Sequence, residues 1–148
     1  YEIAKLRNQK IGFVFQFHHL LSEFTALENV LMPAWIGNLN SQKKDEAVNL
    51  FSELNLSSKM DCYPNQLSGG ERSRVALLRG IINKPKILLA DEPTGNLDEK
   101  NALTLIDLLK KINKDFNQAI IITTHNPDVA KLGCKRFNLV NGFLKTMR

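Results

Sequence analysis

Three short apolar runs constrain this chain more than any other feature. Ile11-Gly12-Phe13-Val14-Phe15, Lys86 to Ala90 and Ala119-Ile120-Ile121-Ile122-Thr123 each read as a strand, the last two as buried ones. Segments with helical spacing separate them. Thr25 to Val30 reads as a helix start, with Thr25 as N-cap and Glu28 three residues on. Lys43 to Leu54 carries Ala47, Val48, Leu50, Phe51 and Leu54 at helical spacing, with Lys43, Lys44, Asp45 and Glu46 as a solvated first turn. Ser68 sits where a further helix begins, which should stop before Pro85. Glu99 to Lys114 reads as amphipathic, with Ala102, Leu103, Leu105, Ile106, Leu109 and Ile112 inward. Asp128 to Leu132 reads as a short helix, and Phe137 to Val140 as a strand turning at Asn141-Gly142 toward Phe143 to Met147.

Strands alternating with helices argue for an α/β fold with a largely parallel core sheet flanked by helices. The stretch from Phe24 to Ile82 is predominantly helical. The expected organisation is one domain over 1–148, with a helical subdomain at about 24–82 inserted into a core α/β unit made of 11–16 and 83–148. The chain opens at Tyr1 without a methionine and is expected to run almost directly into its first strand, as a cut end would.

Composition limits the function classes. Twenty basic residues against fifteen acidic ones give a net charge of +5, but they are scattered, which reads as a solvated surface rather than a polyanion-binding face. No run approaches the ~20 apolar residues that span a bilayer, and the start does not resemble a signal peptide, so a membrane role must come through a partner. Cys62 and Cys134 lack the spacing of a zinc site or a disulfide framework.

Five local features could carry chemistry. In Leu67-Ser68-Gly69-Gly70-Glu71, a serine and two glycines at a helix start leave backbone N–H groups and the positive end of the helix dipole for an anion. A plain helix N-cap explains the same residues. Ile87 to Pro93 is an apolar strand delivering Asp91 and Glu92 at its C-terminal end, where ligands of open α/β sheets bind. Asp91 could hold Mg²⁺ and Glu92 could polarise a water; a polar turn ending the strand is the plainer alternative. Gly95-Asn96-Leu97-Asp98 is read either as a helix-capping turn or as part of a site, and His125 after its strand as structural or catalytic. Gln16 closes a strand and could reach a metal or water with its amide; alone it is unremarkable.

In order and approximate spacing, these five features together resemble the ABC ATPase family, across nearly the whole chain. Leu67 to Glu71 matches the LSGGE signature motif without substitution, and Leu88 to Glu92 matches Walker B with its glutamate. Gln16 resembles the Q-loop glutamine, Gly95 to Asp98 the D-loop, and His125 the switch histidine. Ala90 to Asp98 is similar to the branch that includes lipoprotein release, macrolide efflux and a cell-division ATPase. Phe15-Gln16-Phe17-His18-His19-Leu20-Leu21, with Phe24 to Val30 and Met32-Pro33, is most similar to its lipoprotein-releasing members. The adjacent His18 and His19 side chains would rarely converge on one ion, so this loop reads as one that touches membrane subunits. Departures exist: Ser73 stands where the family has glutamine, and Leu78 and Gly80 stand where small alanines are usual. Gly80 weakens a helix by up to about 1 kcal/mol relative to alanine.

The resemblance implies a P-loop NTPase fold, ATP and Mg²⁺ as ligands, and a head-to-tail dimer with a second ATPase subunit. It also implies integral membrane subunits as partners, the cytoplasmic face of the bacterial inner membrane as location, and no nucleic acid. It gives Ser68, Gly69, Gly70 and Glu71 to the nucleotide of the opposite subunit, Asp91 and Gln16 to the metal, and Glu92 to the attacking water. His125 goes to the γ-phosphate, and Asp98 to coupling between the two sites. No G-x-x-x-x-G-K-[ST] loop occurs, so the phosphate cradle and the N-terminal strands are expected upstream of Tyr1, and these residues alone are expected to bind ATP weakly or not at all and to be inactive. Rival expectations are a DNA-acting relative, a macrolide-export-type or cell-division-type ATPase, and a truncated docking module without hydrolysis.

Overall fold

The computed structural model describes residues 2–147, with no side chains described at 40–42. Strands β1 (Ile11–Phe15), β2 (Ile87–Asp91) and β3 (Ala119–Thr123) form a parallel sheet in that order. Its register sets Phe15, Asp91 and Thr123 level with one another. The described helices are α1 (Glu2–Lys10), α2 (Ala26–Ile36), α3 (Asn40–Glu53), α4 (Gly69–Ile81), α5 (Glu99–Asp115) and α6 (Pro127–Ala130). β4 (Phe137–Val140) and β5 (Phe143–Thr146) make a separate antiparallel hairpin. The α/β architecture with a parallel sheet is the one expected. Among the described residues no helix is long and apolar enough to cross a membrane.

The core lies on one face of the sheet. Val14, Leu88 and Ala90 point into it, against Leu77 and Leu78 of α4 and Leu105 and Leu109 of α5. α2 and α3 extend it with Val30, Phe51 and Leu54. Thr25 and Ser68 each close a capping box at their helix, with Glu28 and Glu71 returning the bond.

Four expectations need correction. Residues 2–10 form a helix instead of leading straight to a strand. It buries nothing, so it carries no apolar periodicity to be read, and it is held instead through Asn8, whose Nδ2 donates to Pro33 O at 2.9 Å. β2 and β3 are not buried on both faces: Ile121 is 55% exposed, because α4 and α5 cover one face only and side chains alternate. Leu103 points outward from α5, 55% exposed, being off the stripe set by Leu105, Ile106, Leu109 and Ile112. Finally, α3 begins at Asn40, so Lys43 and Glu46 fall a turn further in, where they are half-buried and paired at 2.7 Å, with Lys84 also on Glu46 at 2.9 Å.

Gly80 does more than weaken a helix. Its α-carbon faces β1 so closely that a methyl group there would lie 3.1 Å from Phe13 O. Across the same gap Gly12 faces Gly80 O. The two glycines let α4 lie directly on the strand.

Candidate functional site

The parallel register decides where the site is. Gln16, Glu92 and Thr124 are the residues that leave three neighbouring strands, and the register brings them out at one edge. That edge is the C-terminal one, where α/β sheets take ligands.

Glu92 is the most constrained residue there. Its φ of 43° is left-handed, a conformation that costs a non-glycine residue about 1–3 kcal/mol and persists where the surroundings hold it. They do so from β3. Glu92 N donates to Thr123 O at 2.9 Å. Its Oε1 accepts from His125 N at 2.8 Å and meets His125 Nδ1 at 2.8 Å. Its Oε2 accepts from the Thr124 hydroxyl at 3.1 Å. An ionised carboxylate only accepts, so Nδ1 carries the proton in this pair and Nε2 is left for another partner. The Glu92 side chain is 21% exposed while His125 is 81% exposed, so the ring stands out over a sheltered carboxylate. Asp91 beside it is exposed, and its Oδ1 accepts from the Thr123 hydroxyl at 2.5 Å.

Gln16 is paired with the turn that follows the two acids. Its Nε2 donates to Asn96 Oδ1 at 3.3 Å, and Asn96 Nδ2 donates to Gln16 O at 3.2 Å. Gly95 makes room: a methyl group there would sit 2.7 Å from Gln16 Nε2.

Ser68, Gly69 and Gly70 form a second cluster. Ser68 Oγ accepts from Glu71 N at 3.3 Å. The Gly69 and Gly70 N–H groups belong to the first helical turn and have no intrahelical acceptor. These two N–H groups, with the Ser68 hydroxyl beside them, stand at the positive end of a helix dipole. Glu71 turns the other way. Its Oε2 accepts from Ser68 N at 2.7 Å and its Oε1 lies 3.3 Å from Lys59 Nζ. Its carboxyl is held below the ordinary range, chiefly by the Ser68 backbone bond, with the Ser68 hydroxyl and then Lys59 adding to it.

Asp98 caps α5, accepting from Asn101 N at 2.8 Å and Asn101 Nδ2 at 2.7 Å. Those bonds, the backbone one first, hold its carboxyl below the ordinary range. The Asn101 side chain lies against Gly70, so Asp98 reaches the signature turn through one intermediary. Among the described residues, no hydrogen bond joins Ser68, Gly69 or Gly70 to Asp91, Glu92 or His125. The chain therefore presents an acid–histidine cluster and a separate donor cluster.

Sequence reasoning missed Thr123, Thr124, Asn96 and Asn101, each of which holds a site residue in place. Thr123-Thr124 carried a usable signal, two hydroxyls directly before His125, but only the register sets them opposite the acids. It also missed Asn29, whose buried amide bonds the loop after Gln16 at Leu21 N, Leu21 O, Phe24 O and Thr25 O, between 2.8 and 3.0 Å.

The sequence pattern of the family described as ABC transporter matches residues 2–95. The chain is 50% identical over 144 residues to the lipoprotein-releasing system ATP-binding protein LolD 2 of Chlorobium chlorochromatii (strain CaD3), covering 96% of this chain and 59% of that protein. It is 47% identical over 131 residues to the lipoprotein-releasing system ATP-binding protein LolD of Buchnera aphidicola subsp. Acyrthosiphon pisum (strain APS), covering 88% of this chain and 58% of that protein. The chain thus spans less than two thirds of the length of these curated relatives. Among solved structures it resembles the ATP-binding cassette MJ0796 in a dimeric, post-hydrolysis state bound to ADP and Pi, with a TM-score of 0.84 and 35% identity over 99% of this chain and 67% of that one. A second dimeric structure of MJ0796, described as a bacterial ABC transporter cassette, gives 0.83 and 37%. With the family pattern over most of its length and relatives matching nearly all of it, this chain belongs to the ABC transporter family, within its ATPase domain.

Proposed function

We propose that these residues belong to an ATP-hydrolysing subunit of a bacterial ABC transporter that drives release of lipoproteins from the inner membrane toward the outer membrane. The observation that carries the ATPase reading is the Glu92 carboxylate, fixed at the C-terminal end of β2 by His125 and Thr124 and flanked by Asp91. The lipoprotein assignment is supported by what the LolD relatives are called.

In this reading Glu92 takes a proton from the attacking water, and His125 uses its remaining ring nitrogen toward the γ-phosphate. Ser68, Gly69 and Gly70 donate to the γ-phosphate held by a second copy, in a head-to-tail dimer. The donor cluster stands apart from Glu92 within one chain, as such sharing requires. Glu71 pre-shapes the donor turn without touching the anion, since a carboxylate aimed at phosphate would repel it. Asp98, through Asn101, relates the donor turn to the segment after the acids. The division into a helical part at about 24–82 and a core of 11–16 and 83–148 lets the two clusters move relative to each other.

Mg²⁺ fits the residues present in one mode. Among the described residues no group of three or more His, Cys, Asp or Glu could cage a metal. Mg²⁺ in phosphate sites typically takes one or two carboxylates, phosphate oxygens and waters. Asp91, exposed at the sheet edge, suits that mode through water, with the Gln16 amide oxygen as a second contact. When bound, Mg²⁺ supplies neutralisation of the phosphate charge. The partners in this reading are the second ATPase subunit and integral membrane subunits, and the location is the cytoplasmic face of the inner membrane.

The test is Glu92→Gln in the full-length protein assembled with its partners. A general base contributes about 100-fold or more, so ATPase turnover should fall at least that far while ATP binding persists. Turnover within a few-fold of the parent would overturn the assignment.

A further inference from the structure

The segment after Gln16 is attached to α4 at three points. The Arg79 guanidinium donates to His18 O at 2.5 Å and to His19 O at 2.6 Å. The third point is a side-chain pair: His18 Nε2 lies 2.6 Å from Ser73 Oγ, and Ser73 Oγ in turn donates to Gly69 O at 3.0 Å. His18 and His19 adopt φ values of 31° and 46°, so the backbone turns sharply here to present the ring to the helix. Ser73 is 1% exposed, which shields the pair from competing water.

Proton counting relates the directions of these two bonds. A serine hydroxyl has one proton, and that of Ser73 goes to Gly69 O. With that proton on Gly69 O, the matching tautomer of His18 is the one that donates from Nε2. The result is an ordered relay, His18 Nε2–H to Ser73 Oγ–H to Gly69 O, ending on the helical turn that carries the anion donors. Burial first, and then the nearby Arg72 and Arg79, lower the pKa of His18, which favours the neutral ring.

We propose that His18 and Ser73 form a positioning pair that ties the loop following Gln16 to the signature turn, so that movement of that loop re-aims the Gly69 and Gly70 donors. The kinetic part of this proposal rests on the ATPase reading above; the structural part does not. Arg79 clamps the loop backbone near the C-terminal end of α4, and nothing in that clamp reaches Gly69. Among the described residues, the side-chain pair is what hydrogen-bonds the loop to the N-terminal turn. Serine matters at this position because its hydroxyl accepts from the ring and donates to the helix at once, which alanine cannot do.

The test uses the full-length protein with Ser73→Ala, His18→Ala, the double variant and His18→Gln, whose Nε2 can take the place of the ring nitrogen. Amide hydrogen exchange at His18, His19, Glu71 and residue 73 should quicken about five-fold in each alanine variant, the factor for one net hydrogen bond. The double variant should be no faster than either single one, and His18→Gln should return to the parent rate. Core amides of β2 should not change. In steady-state ATP hydrolysis, the alanine variants should lower kcat with KM for ATP unchanged. Unchanged exchange, additive effects of the two substitutions, or a rise in KM with kcat intact would each overturn the proposal. Absence of ATPase activity in the parent protein would sink the ATPase reading instead, and the exchange experiment would still decide the link.

Discussion

Gly12→Ala tests the packing that sets the angle of α4. A methyl group at position 12 would stand 2.1 Å from Gly80 O, 2.9 Å from Leu88 Cδ1 and 3.0 Å from Gly80 C. Ordinary contact begins near ~3.4 Å, so α4 and β1 must part by about 1 Å or more. Two of the three obstacles are backbone atoms in a regular helix, and a rotamer change cannot clear them. Overpacking of this kind costs about 1–3 kcal/mol, and rigid obstacles place this case near the upper end. The smaller unfolded-state entropy of alanine returns roughly 0.4–1 kcal/mol. The net expectation is about 2–3 kcal/mol of lost stability, or roughly 5–10 °C in Tm for a protein of a few hundred residues. Urea unfolding of the full-length protein, with Gly142→Ala beside it, measures this. Gly142 has nothing within 4 Å and a φ of 81°, so alanine there costs backbone strain alone, roughly 1 kcal/mol. A Gly12→Ala protein within about 0.5 kcal/mol of its parent would refute the close-approach argument.

Two further substitutions probe the loop and the cap. Asn29→Leu removes a buried amide that makes four bonds to the segment after Gln16, and should cost about 2–4 kcal/mol by denaturant unfolding, since the orphaned groups cost about 1–3 kcal/mol each and some find water; a cost below about 1 kcal/mol would mean the loop holds itself. Glu71→Gln keeps the capping geometry without the charge. The depressed Glu71 pKa gives stability that is present above the ordinary carboxylate range and lost as pH falls through the lowered folded value. The parent should therefore exceed the variant in Tm at neutral pH and converge with it as the pH drops through that range; a gap that persists in acid would refute the charge argument.

How much could be read from the sequence depends on how far each signal reaches along the chain. Thr25 with Glu28 and Ser68 with Glu71 lie three residues apart, and both form the caps that spacing predicts. The three strands were visible because apolar runs bounded by polar turns are local. α1 was not, because a helix that buries nothing leaves no pattern. Glu92, His125 and Gln16 stood out by order and resemblance. Their partners Thr124 and Asn96 did not, because each relation depends on which strands lie side by side.

The sequence by itself determined the fold class, the helix starts and the placement of acids at a strand exit, all of them consequences of covalent spacing and side-chain chemistry. Tertiary structure alone decided the rest. It set Phe15, Asp91 and Thr123 level across the sheet and brought Gly12 against Gly80. It also laid the His18 ring on Ser73, 55 positions away. The physical reason is that a hydrogen-bond register and a helix–sheet contact are properties of pairs of segments, and no window along one chain contains both members.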